Sequence, residues 1–189
     1  MSDATSPPAP GGHPVPTLPL TQSLTGRWVL DPVHSSATFE EKHFWSLVTV
    51  RGAFERLEGE GEVTPEGVIR GRIAIEAASL TTKNAKRDTH LRSPEFFDAE
   101  NHPLVTITVD QASFESENRL AVRGELEVAG HSQPLSYAAN VTEVAAGSVL
   151  LQATLTFDRT QFDMDWSPLH LASRRDTVTV AARFDRVAG

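Results

Sequence analysis

Thr82–Pro103, TKNAKRDTHLRSPEFFDAENHP, is the stretch whose reading decides the fold. Here strand-like alternation stops and a dense segment of mixed chemistry takes over. Leu91, Phe96 and Phe97 are its apolar anchors, with Arg87, Asp88, His90 and Arg92 around them. Ser93-Pro94-Glu95 reads as a helix start: an oxygen to accept an orphan N–H, a ring that pre-sets φ, then an acid. Thr82 or Asn84 can open a short helix before it. Everything on either side reads as β-strand. The segment is therefore expected to form a short helical plug over residues ~82–98, laid across one end of a β-sheet structure.

Upstream of the plug, Arg27–Asp31 reads as a short strand turned by Asp31-Pro32. His34–His43 alternates next, placing Ala37, Phe39, Glu41 and His43 on one face. Leu47–Val63 keeps Val48, Val50 and Phe54 in phase, and its Gly52, Gly59 and Gly61 are expected to mark bulges or bends. Val68–Ser79 puts Ile69, Gly71, Ile73, Ile75 and Ala77 inward. Downstream, Leu104–Phe114 aligns Val105, Ile107 and Val109, and Arg119–Ala129 aligns Leu120, Val122, Leu126 and Val128. Tyr137, Ala139 and Val141 follow, then Val149, Leu151, Ala153, Leu155 and Phe157, and finally Val178, Val180, Ala182 and Phe184. About eight long, even strands joined by tight turns suit an all-β, antiparallel up-and-down barrel, which removes the open edges such strands would expose.

The bulk numbers narrow the function. A length of 189 residues favours one domain with a sizeable core. With no cysteine, disulfides, thiolate metal sites and a cysteine nucleophile are excluded. A net charge of −8 points to a soluble protein and away from a nucleic-acid partner. No apolar run approaches the roughly 18 residues of a transmembrane span. Six of the twelve prolines fall between residues 7 and 19, so residues 1–24 are expected to be a disordered tail, and 25–189 the barrel domain. Residues 1–26 hold no Lys or Arg and no apolar core of a signal peptide, so the expected location is cytoplasmic.

Several of these elements together resemble the YceI family. Asp88-x-His90-Leu91-Arg92-Ser93-x-x-Phe96-Phe97-Asp98 with Pro103 is similar to its central signature. Trp28-x-Leu30-Asp31-x-x-His34-Ser35-Ser36, Phe39-x-x-Lys42-His43 and Arg51-Gly52-x-Phe54 are similar to its opening strands, and Asp158-Arg159-x-x-Phe162 to its late motif. The resemblance covers roughly residues 26–187. It implies a lipocalin-like barrel holding a polyisoprenoid, an isoprenoid quinone or a similar long apolar chain in its lumen. Periodicity alone leaves a packed barrel and a cavity both open; the resemblance favours the cavity. The candidate ligand-binding residues on the upstream strands are then Phe39, Glu41, His43, Val50, Phe54, Ile73 and Ile75. The plug supplies Leu91, Phe96 and Phe97, and the later strands and loop Val105, Ile107, Leu155, Phe157, Phe162 and Trp166. Glu41 departs from the family, which has an apolar residue there; it needs His43 as partner, a place at the mouth, or a ligand with a polar group.

Other chemistry is weaker. Seven histidines show no HExxH or HxH spacing, so no metal and no cofactor is expected; the alternative is a spatial cluster of His43, His90 and His170. Asp88, Arg92, Asp98 and Arg159 read as an ion-pair network pinning the plug. Phe162, Met164 and Trp166 are either an apolar lip or a loop closing the core. The expected function is non-enzymatic carriage or sequestration of the apolar ligand. The alternatives are an interaction module using the barrel rim, and an isomerase- or cyclase-like enzyme using Glu41 and His43. A homodimer is compatible with the sequence, which sets no oligomeric state.

Overall fold

The computed structural model describes residues 24–43, 48–164 and 175–188; the Pro-rich stretch and Trp166 lie outside them. Six strands precede the plug: β1 (Gly26–Leu30), β2 (Ser36–His43), β3 (Val48–Phe54), β4 (Leu57–Val63), β5 (Ile69–Glu76) and β6 (Leu80–Thr81). Five follow it: β7 (Leu104–Ser116), β8 (Arg119–Val128), β9 (His131–Ala145), β10 (Ser148–Asp158) and β11 (Arg175–Arg186).

These segments occupy eight positions around a closed antiparallel barrel. β1 and β2 both pair with β11, at Leu30↔Phe184 and Ser36↔Ala181, so they are two halves of one long strand. The break between them is the Asp31–Ser35 loop. Asp31 accepts from the Val33 N–H at 2.9 Å and meets His34 Nδ1 at 2.6 Å, and the Ser35 hydroxyl donates to the Asp31 carbonyl. The His34 contact, ahead of the backbone donors, holds the Asp31 carboxyl below its usual pKa. β3 and β4 form the second position and β5 and β6 the third, while β7 to β11 fill one each. Closure comes from β11, which lies between β10 on one side and β1 and β2 on the other.

Three sequence expectations change. The helix α1 (Ala85–Leu91) does open at Asn84, one of the two starts the sequence offers, its side chain accepting from the Arg87 N–H at 3.1 Å. Ser93-Pro94-Glu95 starts no helix. Phe97 N–H donates to Leu91 O, and Ala99 N–H to Arg92 O, folding the chain back on the end of α1. The Ser93 hydroxyl donates to His90 O instead of capping a new turn. Gly52, Gly59 and Gly61 mark no bulge, because their ladders run in unbroken register. β7 carries two irregularities against β8, at Asp110, where Val109 faces Gly124 and Gln111 faces Arg123, and at Glu115, between Phe114↔Leu120 and Ser116↔Arg119. The extra residue at Asp110 flips the inward phase, from Val105 and Ile107 to Ala112.

The wall is also uneven. The β9–β10 ladder runs from Ala145↔Ser148 to Ala139↔Ala153 and stops. Below it, Pro134, which has no N–H to give, pairs with Glu125 of β8. Gln133 Nε2 reaches across to Gln161 O at 3.0 Å. A side cleft of about 480 Å³ opens there, lined by Leu135, Ser136, Thr156 and Phe157 among others.

Candidate functional site

A barrel keeps internal volume only where inward positions carry little side chain. Gly59, Gly61 and Gly71 all take inward positions of β4 and β5, and Gly61 pairs with Gly71. Across the sheet the row reads Trp28, Gly61, Gly71, Val109, so two neighbouring side chains are missing from one ring of the wall. A Cβ built on Gly61 would meet only Arg70 O, at 3.4 Å. On the other wall Ala139, Ala153 and Ala182 are inward and small. The outcome is a chamber of about 130 Å³ at the end of the barrel away from the plug. Trp28, Val63, Ile69, Ile73, Phe114, Leu120, Val122, Tyr137, Val149 and Phe184 face it, and Leu24 borders it, where the Trp28 indole N–H donates to Leu24 O.

A second chamber of about 70 Å³ lies under the plug. Phe39, Phe54, Leu91, Phe96, Phe97 and Phe157 dominate it, and Ile107 and Leu155 line both chambers and separate them. Aromatic rings knit the plug to the wall. Phe54 meets Phe39 at 5.7 Å and Phe97 edge-on at 5.6 Å. Gly52 is required there: a Cβ would sit 2.2 Å from the Phe39 ring.

Buried Asp88 anchors the plug. Its carboxylate accepts from the Thr82 N–H at 2.8 Å and the Thr82 hydroxyl at 2.5 Å. Burial pushes its pKa up, but the Thr82 bonds and the Arg92 charge outweigh that and leave it lowered. Arg92 donates in turn to Leu80 O. Asp98 stands apart from this pair, taking Asn101 Nδ2 at 3.0 Å and His102 at 3.8 Å. Arg159 is buried and lines the plug-side chamber.

The sequence candidates fall into four groups. Phe39, Phe54, Ile75, Leu91, Phe96, Phe97, Val105, Ile107, Leu155 and Phe157 come together around the plug-side chamber, and Ile73 faces the other one. Val50 is buried but borders neither chamber. Phe162 is core, stacked edge-on against Phe157 at 5.7 Å, and Met164 is buried as well; Trp166, the third member of that lip or closing loop, lies outside the described residues. Glu41 and His43 belong to β2, their backbones paired with Val50 and Val48; their side chains, and Trp166 and His170, lie outside what is described. His90 packs edge-on against Phe96 at 5.1 Å, and among the described residues no cluster of three metal-ligating side chains forms. Most of the far chamber was not among the candidates. Leu120, Val122, Val149 and Leu151 carried the same inward phase, and the glycines opposite them were the signal for the volume.

A closed eight-stranded barrel with a helical plug and an apolar lumen defines a lipocalin-like barrel. The chain belongs to the YceI-like domain family, which it matches over residues 28–185. Among curated relatives, a UPF0312 protein of Vibrio cholerae is 26% identical over 104 residues, 54% of each chain. A UPF0312 protein of Staphylococcus aureus is 30% identical over 105 residues, 54% of this chain and 58% of the relative. The chain thus spans about half the length of the curated relatives it matches. Among solved structures, Burkholderia cenocepacia BcnA superposes with a TM-score of 0.74 at 16% identity, covering 82% of this chain and 98% of that one. A polyisoprenoid binding domain from Saccharophagus degradans, implicated in plant cell wall breakdown, gives 0.70 at 16% identity, covering 85% and 98%. These two share the fold. Among the described residues, no helix is long and apolar enough to cross a membrane.

Proposed function

We propose that this protein binds a long apolar molecule in its lumen, an isoprenoid chain or an isoprenoid quinone, and carries or sequesters it without catalysing a reaction. The observation that carries this reading is the far chamber, apolar in its side-chain lining and kept empty by paired inward glycines. Dry volume of that kind takes up hydrocarbon. The Saccharophagus neighbour, described as polyisoprenoid binding, supports the ligand class.

Size adds a condition. A cavity of about 150 Å³ lined by Leu, Ile and Phe accommodates one benzene ring, and neither chamber here is larger. A long chain must therefore run through both, displacing Ile107 and Leu155 where they meet. The plug-side candidates, from Phe39 and Phe54 to Phe96, Phe97 and Phe157, would hold one end of it. Glu60, Glu62, Arg70 and Arg72 border the far chamber, yet their side chains are exposed on the outer face. The acid–base pair an isomerase would use, Glu41 and His43, has side chains outside what is described, and the carrier reading rests on the chamber itself.

Mass spectrometry of an organic extract of the purified protein is the test, paired with fluorescence titration by the neutral probe N-phenyl-1-naphthylamine. An isoprenoid lipid in the extract and saturable probe binding are expected. An empty extract together with no probe binding would remove the reading.

A further inference from the structure

Tyr137 is the one tyrosine in the chain, and it stands half-buried against an apolar lumen. It sits at an inward position of β9, opposite Val122 of β8, and lines the far chamber between Leu120, Val122 and Ala139. Its ring packs against both groups of the hydrophobic core. A tyrosine hydroxyl held against apolar side chains ordinarily finds a hydrogen-bond partner. This one has no hydrogen-bond partner among the described residues, and the residue lines the open volume of the far chamber. Burial pushes its pKa up to about 12, which keeps the proton on the oxygen and makes the group a neutral donor.

The rest of the chamber offers that donor nothing. Its inward side chains are Trp, Val, Ile, Leu, Phe and Ala, and the Trp28 indole N–H is already committed to Leu24 O. Nor does it offer a cation to a charged head group: Arg72 reaches Thr106 Oγ1 on the outer face, and Arg70 is exposed. A phosphate or carboxylate buried here would be uncompensated.

We infer that Tyr137 is the specificity-determining residue of the lumen, selecting an apolar chain whose buried end carries one neutral oxygen acceptor, a carbonyl or an ether. This rests on the lumen-binding reading above and names the chemistry of its ligand. A pure hydrocarbon would fill the same volume but leave the hydroxyl unbonded. A prenyl phosphate would bring charge to a place without a counter-ion.

The test compares two probes in wild type and Tyr137→Phe. Farnesylacetone, an isoprenoid ketone, and phytane, a hydrocarbon of similar length, each displace N-phenyl-1-naphthylamine from the protein. Tyr137→Phe removes one oxygen and keeps the ring, so the fold stays, which a denaturation midpoint no lower than wild type would verify. The variant should bind farnesylacetone about three- to tenfold more weakly, the range for one neutral hydrogen bond, and phytane equally well or better. Equal affinity of wild type and variant for the ketone would overturn the inference, pointing to a resident water as the partner of the hydroxyl. Equal weakening for both probes would also overturn it, since that reports packing and not recognition. If wild type binds phytane and the ketone alike while both still displace the fluorophore, the lumen reading stands and this one falls. If wild type binds neither, the lumen reading itself fails.

Discussion

Gly61→Ile puts a side chain into the far chamber at the point where the wall lacks two. The site accepts it: the φ of Gly61 is outside the left-handed region, and the new Cβ meets one carbonyl oxygen at 3.4 Å. Four carbons would be buried in apolar surroundings, at about 0.8 kcal/mol each, or about 3 kcal/mol. Removing a glycine from a strand interior adds about 0.5–1 kcal/mol. Imperfect packing in a chamber shaped for something else takes back part of this. A net stabilisation of about 2 kcal/mol remains, an increase of about 4–8 °C in Tm for a chain of this size. Thermal and urea unfolding measure that half of the claim, and titration with N-phenyl-1-naphthylamine the other. The expected variant is more stable than wild type and binds the probe at least tenfold more weakly, about 1.4 kcal/mol. Destabilisation by 1 kcal/mol or more would mean that the chamber is not free space. Stabilisation with unchanged binding would move the ligand site elsewhere, to the plug side or the cleft.

Three further outcomes follow from the plug and the tail. Asp88→Ala should cost about 3 kcal/mol in urea unfolding at pH 7, because it strands the buried Thr82 N–H and hydroxyl. The folded Asp88 carboxyl titrates below its unfolded value of about 3.9, so its contribution is present above about pH 4 and lost as the pH falls through the folded pKa. Unfolding curves of wild type between pH 5 and about pH 2 should show that loss, and those of Asp88→Ala should lack it. Phe96→Ala, emptying a ring that is 8% exposed, should cost about 3–5 kcal/mol; an unchanged midpoint would make the plug a loose excursion. Deleting residues 2–22 should leave Tm within about two degrees, since such terminal segments contribute little unless tied down, and a larger drop would show that they pack on the barrel.

The barrel was legible because its signal is local. Inward alternation over ten residues survives in sequence whatever the neighbours do, and the mixed chemistry of Thr82–Pro103 interrupts it plainly. What was not legible depends on pairs of residues far apart. Nothing in Val105, Ile107 and Val109 announces that Asp110 will be an extra residue against β8 and flip the phase to Ala112. Ser93-Pro94-Glu95 has the chemistry of a helix start, but Phe97 and Ala99 find acceptors on Leu91 and Arg92 first, and that tertiary choice overrides the local one. The glycines show the same limit. Within its own strand Gly61 reads as a bend; beside Gly71 and between Trp28 and Val109 it is an absent side chain. The recognisable motif lies at the plug, and the larger chamber forms where the motif does not reach.

That larger chamber has an energetic consequence for how the protein works. Unfilled volume in a sealed apolar core costs about 24 cal/mol per Å³, which for 130 Å³ sets an upper bound of about 3 kcal/mol. A domain of this size has only about 5–15 kcal/mol of stability in total. One substitution at Gly61 would remove much of the deficit, so an empty lumen is not forced on the chain by its fold. The wall is also open on one flank, where β9 and β10 part below Ala139 and Ala153. A barrel that is underfilled and locally unzipped is less stable empty than full. A ligand that fills the lumen would return that free energy on binding, and its effect would appear as a stabilisation that grows with ligand concentration as RT ln(1 + [L]/Kd). The cavity and the plug are then one device. The aromatic contacts of Phe54 with Phe39 and Phe97 keep the plug-side end shut, and the glycine row keeps room behind it.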